Sequence, residues 1–158
     1  MLNSWLWSSE ADPDFIKLRK ILKSPLLPFL YRNLNFSPKF ILPKSFGDHK
    51  LSRHLRKQYT KPLANKTQRN GALSFAKSLL NDQDWFEDLW SKRSAIANKP
   101  TLFIWGMKDP VIKPHHLEKF QAGFTNSTTI KLETAGHFPQ EEQSEVVGDA
   151  ICEFVEGK

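Results

Sequence analysis

The feature that most constrains this chain is a compact apolar run, Thr101-Leu102-Phe103-Ile104-Trp105, ended by Gly106. A run of this kind suits a strand covered on both faces, as in a parallel sheet. A helix is expected near residues 116–124, with Leu117, Phe120 and Phe124 on one side. A second strand is expected at 128–132, and a last helix from about residue 143. Val146, Val147, Ala150, Ile151, Phe154 and Val155 give that helix a broad apolar stripe, with Cys152 expected in the core. The order strand, helix, strand, helix predicts a parallel α/β unit.

The rest of the chain has a different texture. Residues 1–9 open on Leu2, Trp5, Leu6 and Trp7 and then turn polar, which reads as the end of a buried core strand and its loop. Residues 10–98 read as mainly helical, leaving 99–158 as the α/β segment. Within the helical region Phe15, Leu18, Ile21 and Leu22 keep helical spacing, as do Leu73, Ala76 and Leu80. Pro25, Pro28, Pro38 and Pro43 are expected to cut the region into short pieces.

Two loops carry the candidate chemistry. Each follows an expected strand at its C-terminal end, the edge where open parallel sheets place their sites. In Gly106-Met107-Lys108-Asp109-Pro110 the glycine permits a sharp turn and Asp109 sits just beyond it. By itself such an aspartate also fits a turn cap before proline. In Thr134-Ala135-Gly136-His137-Phe138-Pro139 the histidine follows a strand and a glycine. Neutral imidazole takes a proton from water or a hydroxyl when an acid fixes its tautomer and stabilises the imidazolium. A carboxylate and a histidine on adjacent loops of one sheet edge form such a pair.

Composition narrows the partners. The chain has 158 residues, a net charge of +6 and a single cysteine, so it forms no internal disulfide framework. Basic side chains gather between Lys39 and Arg69, which reads as a solvated helix face because no nucleic-acid motif accompanies them. No apolar stretch is long enough to span a membrane, and the first residues lack a signal peptide's basic region, so a cytoplasmic location is expected. His49, His54, His115 and His116 show no metal-ligand spacing and are expected at the surface or at helix caps. No metal and no organic cofactor is expected.

The two loops resemble the acid loop after the seventh strand and the histidine loop of the α/β-hydrolase superfamily. There too the acid precedes the histidine and the nucleophile comes first. The closer likeness is to haloalkane dehalogenases and their epoxide-hydrolase relatives. The segment Leu2-Asn3-Ser4-Trp5-Leu6-Trp7 is similar to the end of their sixth strand, and the helical middle to their inserted cap domain. The resemblance implies an α/β fold of which this chain is the C-terminal part: parallel strands with a helical cap, the N-terminal strands absent. No Gly-x-Ser-x-Gly or Gly-x-Asp-x-Gly elbow is present. The opening methionine is therefore expected to coincide with an internal position of a longer reading frame, or the gene to be truncated.

The resemblance assigns Asp109 as acid and His137 as base. Some dehalogenases carry the acid after strand six, where this chain has Asn3. A halide-binding cap tryptophan aligns with Lys44, and an epoxide-holding tyrosine with Ala76, which counts against epoxide hydrolysis. The expected reaction is cleavage of a carbon–halogen bond through an alkyl-enzyme ester in a full-length parent, the chain alone being inactive. Trp5, Trp7 and Phe138 are expected to line the pocket for a small-molecule substrate, with core packing an equal alternative. A serine ester hydrolase would use the same pair. The remaining alternative is a non-catalytic fragment or binding module. Uncovered sheet edges predict self-association or a partner that completes the sheet.

Overall fold

The computed structural model describes residues 1–157. In chain order the helices α1 (Phe15–Leu22), α2 (Leu27–Leu34), α3 (Leu42–Lys44), α4 (Arg53–Thr60), α5 (Lys66–Asn81) and α6 (Gln83–Ser91) precede strand β1 (Thr101–Gly106). There follow α7 (Pro114–Gly123), β2 (Ser127–Leu132), α8 (Pro139–Glu142) and α9 (Ser144–Glu156). The chain forms two compact units: Met1–Leu6 with Ser45–Lys50 and Leu89–Lys158, and Trp7–Lys44 with Leu51–Asp88. The segment Ser45–Lys50 thus leaves the helical region and joins the strands, across the division expected at residue 98. Among the described residues no helix is long and apolar enough to cross a membrane.

In the first unit β1 and β2 pair in parallel, with Gly106 opposite Leu132. On the far side of β1, Leu2 makes a parallel bridge to Ile104, and the Ile104 N–H donates to the Met1 carbonyl at 2.9 Å. β1 is therefore a central strand. Its alternate side chains explain the apolar run. Leu102 and Ile104 pack with Leu132, Ala135, Val147 and Ala150 on the α9 face. Phe103 and Trp105, both fully buried, meet aromatic rings on the α7 face, with Phe103–Phe120 centroids 5.5 Å apart and Trp105–Phe120 6.0 Å. β2 is more exposed and carries Lys131, a charge that blunts an edge strand.

On α9 only part of the expected stripe is buried. Val147, Ala150 and half-buried Phe154 follow one another at helical spacing and face the sheet. Val146, Ile151 and Val155 are exposed. Cys152 lies about 140° around the helix from Val147, at ~100° per residue, and is exposed rather than in the core. His116 is corrected in the opposite sense: it is buried in the first turn of α7, its Nδ1 3.2 Å from the Lys113 carbonyl.

The second unit is helical. Leu22, Leu27, Tyr31, Leu73 and Ala76 form its core, with Leu18, Phe36, Ala72, Leu79 and Leu80 packed against them. Burial pushes the Tyr31 hydroxyl up, and a hydrogen bond from Ser37 acts in the opposite sense. The prolines interrupt less than expected. Pro28 sits in the first turn of α2 and Pro38 in the first turn of a π-helical segment, Ser37–Ile41, where a missing N–H costs little. The π segment runs directly into α3, so the chain stays helical past both Pro38 and Pro43. α2 ends at Asn35, which adopts the left-handed conformation at φ 52° and donates from Nδ2 to the Leu63 carbonyl at 3.1 Å. α5 opens with a reciprocal capping box between Asn65 and Gln68.

Gly71 in α5 and Gly148 in α9 are exposed helix positions where a methyl group would meet nothing within 4 Å. Replacing either by alanine is expected to stabilise its unit by about 0.5–1 kcal/mol, because alanine loses less backbone freedom on folding. Chemical denaturation should show a higher midpoint with an unchanged slope. A lower midpoint in both variants would contradict the open surroundings.

Candidate active site

The parallel register ends β1 and β2 at the same level, so their following loops are neighbours. The Met107 N–H donates to the Leu132 carbonyl at 3.0 Å, and the Lys108 N–H to the Ala135 carbonyl at 2.9 Å. The two loops carry Asp109 and His137. His137 Nδ1 lies 2.6 Å from Asp109 Oδ2. An ionised carboxylate only accepts, so Nδ1 holds the hydrogen and donates it, leaving Nε2 as the basic nitrogen. The Asp109 side chain is fully buried, whereas that of His137 is 30% exposed. The acid is shielded and the base reaches outward, the disposition an orienting pair requires.

Asp109 has no spare capacity. Its Oδ1 accepts from the Val111 N–H at 2.8 Å and the Ile112 N–H at 2.9 Å. Its Oδ2 accepts from Asn3 Nδ2 at 2.9 Å as well as from His137. Those four bonds use the roughly four lone-pair directions of a carboxylate. One oxygen caps the turn before the helix, and the other aims the imidazole. The turn-capping and functional roles therefore coexist on different atoms. Asp109 has no lone pair left for a metal or a substrate, so its chemistry is confined to holding His137.

Asn3 is a site residue that sequence reasoning passed over, registering it only as a position without an acid. It is buried, and its amide closes around the end of β1. The Gly106 N–H donates to Asn3 Oδ1 at 2.7 Å, while Nδ2 donates to the Gly106 carbonyl at 3.0 Å and to Asp109 Oδ2. One side chain thus ties the opening segment, the strand end and the acid together. Asn3→Ala would leave a buried N–H and part of a buried carboxylate without partners, at about 1–3 kcal/mol for each unsatisfied group. We expect a total loss of about 2–4 kcal/mol in urea unfolding of this chain. A loss below about 0.5 kcal/mol, the scale of an ordinary surface substitution, would exclude this role.

Three glycines let the backbones meet here. A Cβ on Gly106 would lie 2.0 Å from the Gly136 carbonyl oxygen, and one on Gly136 would lie 2.4 Å from the Ser45 carbonyl oxygen. At Gly47 it would lie 2.2 Å from the Thr134 carbonyl oxygen. The Ser45–Lys50 segment is consequently pressed on the histidine loop. The His137 N–H donates to the Ser45 carbonyl at 2.8 Å, and the Asp48 N–H to the Thr134 carbonyl at 2.9 Å. Lys108 Nζ pairs with both Asp48 carboxylate oxygens at 2.6 Å. Nothing in the composition of this segment distinguished it from the helical region around it.

The aromatic candidates separate. Phe138 adjoins the histidine, its ring edge-on to His137 at 5.0 Å and stacked on Phe46 at 5.9 Å. Trp5 is half-buried in the first unit, and its indole nitrogen is buried. Trp7 belongs to the other unit and is buried.

The chain matches the family described as the alpha/beta hydrolase fold over residues 7–144. It is 28% identical over 154 residues to haloalkane dehalogenase 2 of Mycobacterium tuberculosis, covering 96% of this chain and 53% of that protein. The haloalkane dehalogenase DbeA from Bradyrhizobium elkani superposes with a TM-score of 0.76 at 21% identity, covering 89% of this chain and 50% of that one. The haloalkane dehalogenase DatA from Agrobacterium tumefaciens C58 gives 0.74 at 18% identity, over 94% and 53%. The chain spans about half the length of the curated relatives it matches, their C-terminal part. Two parallel strands, a helical region between the opening segment and β1, and these likenesses place the chain in the alpha/beta hydrolase fold family, among relatives that are haloalkane dehalogenases.

Proposed function

We propose that this chain supplies the base and its orienting acid for haloalkane-dehalogenase-type hydrolysis, within a longer protein that supplies the nucleophile. In the first step an aspartate carboxylate outside this chain attacks the carbon bearing the halogen. The C–O ester bond forms as the C–X bond breaks, and halide leaves with the electron pair. In the second step His137 Nε2 takes a proton from water while the water oxygen attacks the ester carbonyl. Collapse breaks the acyl C–O bond, the imidazolium protonates the departing alkoxide to give the alcohol, and the new carboxylic acid loses its proton to solvent, which regenerates the carboxylate. Asp109 keeps the imidazole in the required tautomer and stabilises the imidazolium. The observation that carries the reading is the 2.6 Å contact between His137 Nδ1 and Asp109 Oδ2, in a chain whose relatives are dehalogenases.

The test measures halide release from a short-chain bromoalkane, beside hydrolysis of an activated ester. The expectation is that the 158-residue chain releases no halide and that the longer protein does so catalytically. Turnover by the chain alone, abolished by His137→Ala, would overturn the division of labour. Ester hydrolysis by the longer protein without halide release would replace the reading by a serine ester hydrolase.

A further inference from the structure

We infer that Glu142 is a positioning residue for His137, acting through the backbone of the histidine loop; this rests on the proposed role of His137 as base. Glu142 ends α8, immediately after that loop. Its Oε1 accepts from the Gly136 N–H at 2.7 Å and its Oε2 from the Gly47 N–H at 2.8 Å. One carboxylate therefore bridges two chain segments at the point where neither has a side chain. A Cβ on Gly136 would lie 2.6 Å from the Gly47 nitrogen, so the two N–H groups sit side by side. A carboxylate, with two acceptor oxygens in one plane and a negative charge, fits two adjacent donors better than any neutral group.

The consequence falls on the histidine. Three successive residues before the ring are held by different partners. The Ala135 carbonyl accepts from Lys108, the Gly136 N–H donates to Glu142, and the His137 N–H donates to Ser45. The first of these ties the loop to the acid loop, and the last ties it to the segment that Glu142 also holds. Glu142 is the sole side chain among these partners, and it closes the ring of contacts from Gly136 to Gly47. Without it, the amide hydrogens of Gly136, the residue preceding the base, and of Gly47 lose their acceptor, and the imidazole loses its fixed approach to Asp109. Glu142 itself touches neither Asp109 nor the imidazole in these contacts, so its effect on the pair is transmitted.

The test is NMR on the full chain, comparing Glu142→Ala and Glu142→Gln with an exposed control, Glu145→Gln. Two readouts are followed: solvent exchange of the Gly47 and Gly136 amides, and the downfield Nδ1–H resonance of His137 hydrogen-bonded to Asp109. In Glu142→Ala the expected result is at least tenfold faster exchange at both amides, together with loss or broadening of the Nδ1–H signal. Glu142→Gln keeps one acceptor and should retain protection at one of the two amides and partly restore the ring signal. If Glu142→Ala fails to fold, the Gln variant carries the test. Faster amide exchange with an unchanged ring signal would overturn the positioning role, and unchanged exchange would overturn the clamp itself. Asp109→Asn should remove the Nδ1–H signal with Glu142 intact. A signal that survives that substitution would overturn the Asp109–His137 reading while the Gly47 and Gly136 amides still report on Glu142.

Discussion

Gly106→Ala is expected to abolish the folded state of the unit that carries the candidate site. The added methyl carbon would sit 2.0 Å from the Gly136 carbonyl oxygen, 2.7 Å from that of Ala135 and 2.9 Å from the Ala135 carbonyl carbon. All three are backbone atoms, so no side chain can swing aside. The strand cannot retreat either. Its last residue is held by Asn3 on one side, and the following Met107 N–H bonds to Leu132 on the other. Ordinary overpacking of a core costs about 1–3 kcal/mol because side chains and backbone both yield. Here two loops would have to separate, which breaks the contacts that align Asp109 with His137. We expect a loss above about 4 kcal/mol, a large part of the ~5–15 kcal/mol that holds a typical domain together. Circular dichroism and urea titration would register this as a lost or strongly shifted transition. Gly148→Ala is the matched control, since it adds the same methyl where nothing is near. Equal midpoints for the two variants would refute the close approach of the loops.

The same close approach explains how much could be read from the residues alone. β1 was legible because a strand covered on both faces needs apolar side chains at successive positions, and residues 102–105 provide them. Asp109 and His137 were legible because strand ends in a parallel sheet place the following loops on one edge. Asn3 was not legible as a clamp: its partner Gly106 lies 103 positions away, and an asparagine near a chain opening has no local signature. The Ser45–Lys50 segment was hidden for a related reason. It is held by backbone groups, by Glu142, and by Asp48 and Phe46 meeting Lys108 and Phe138, all partners far along the chain, so nothing local in the segment betrays the attachment. Cys152 was misread because an apolar stripe on the sequence is wider than the helix face that gets covered, and His116 because a polar residue at a helix start reads as exposed although its ring is buried there. On α9 the sheet covers Val147 and Ala150 and leaves Ile151 and Val155 in solvent.

Removing the base should separate the two steps of the proposed reaction. In the longer protein, His137→Ala is expected to lower turnover of a bromoalkane by about 10⁴-fold, the scale seen when an acid–base pair is disabled. The first displacement needs no proton transfer, because the nucleophile is already a carboxylate and the leaving group departs as halide. It should therefore still occur once. The variant should release one equivalent of halide per protein and then stop, with the alkyl group retained as an ester detectable by intact-protein mass. Asp109→Asn should lower turnover by a comparable factor for a different reason. An amide in place of the carboxylate removes the charge that stabilises the imidazolium, and it can present an N–H to Nδ1 and reverse the tautomer. The buried Val111 and Ile112 N–H groups still find the amide oxygen, so the turn stays capped and the fold should survive the loss of the Asn3 Nδ2 bond at the other position. A serine nucleophile behaves otherwise. Its hydroxyl needs the histidine to take its proton in the first step, so His137→Ala would abolish the burst along with turnover. A single-equivalent burst with a trapped adduct supports the dehalogenase reading, an absent burst supports the serine reading, and sustained turnover within tenfold of the unaltered protein removes His137 from the mechanism.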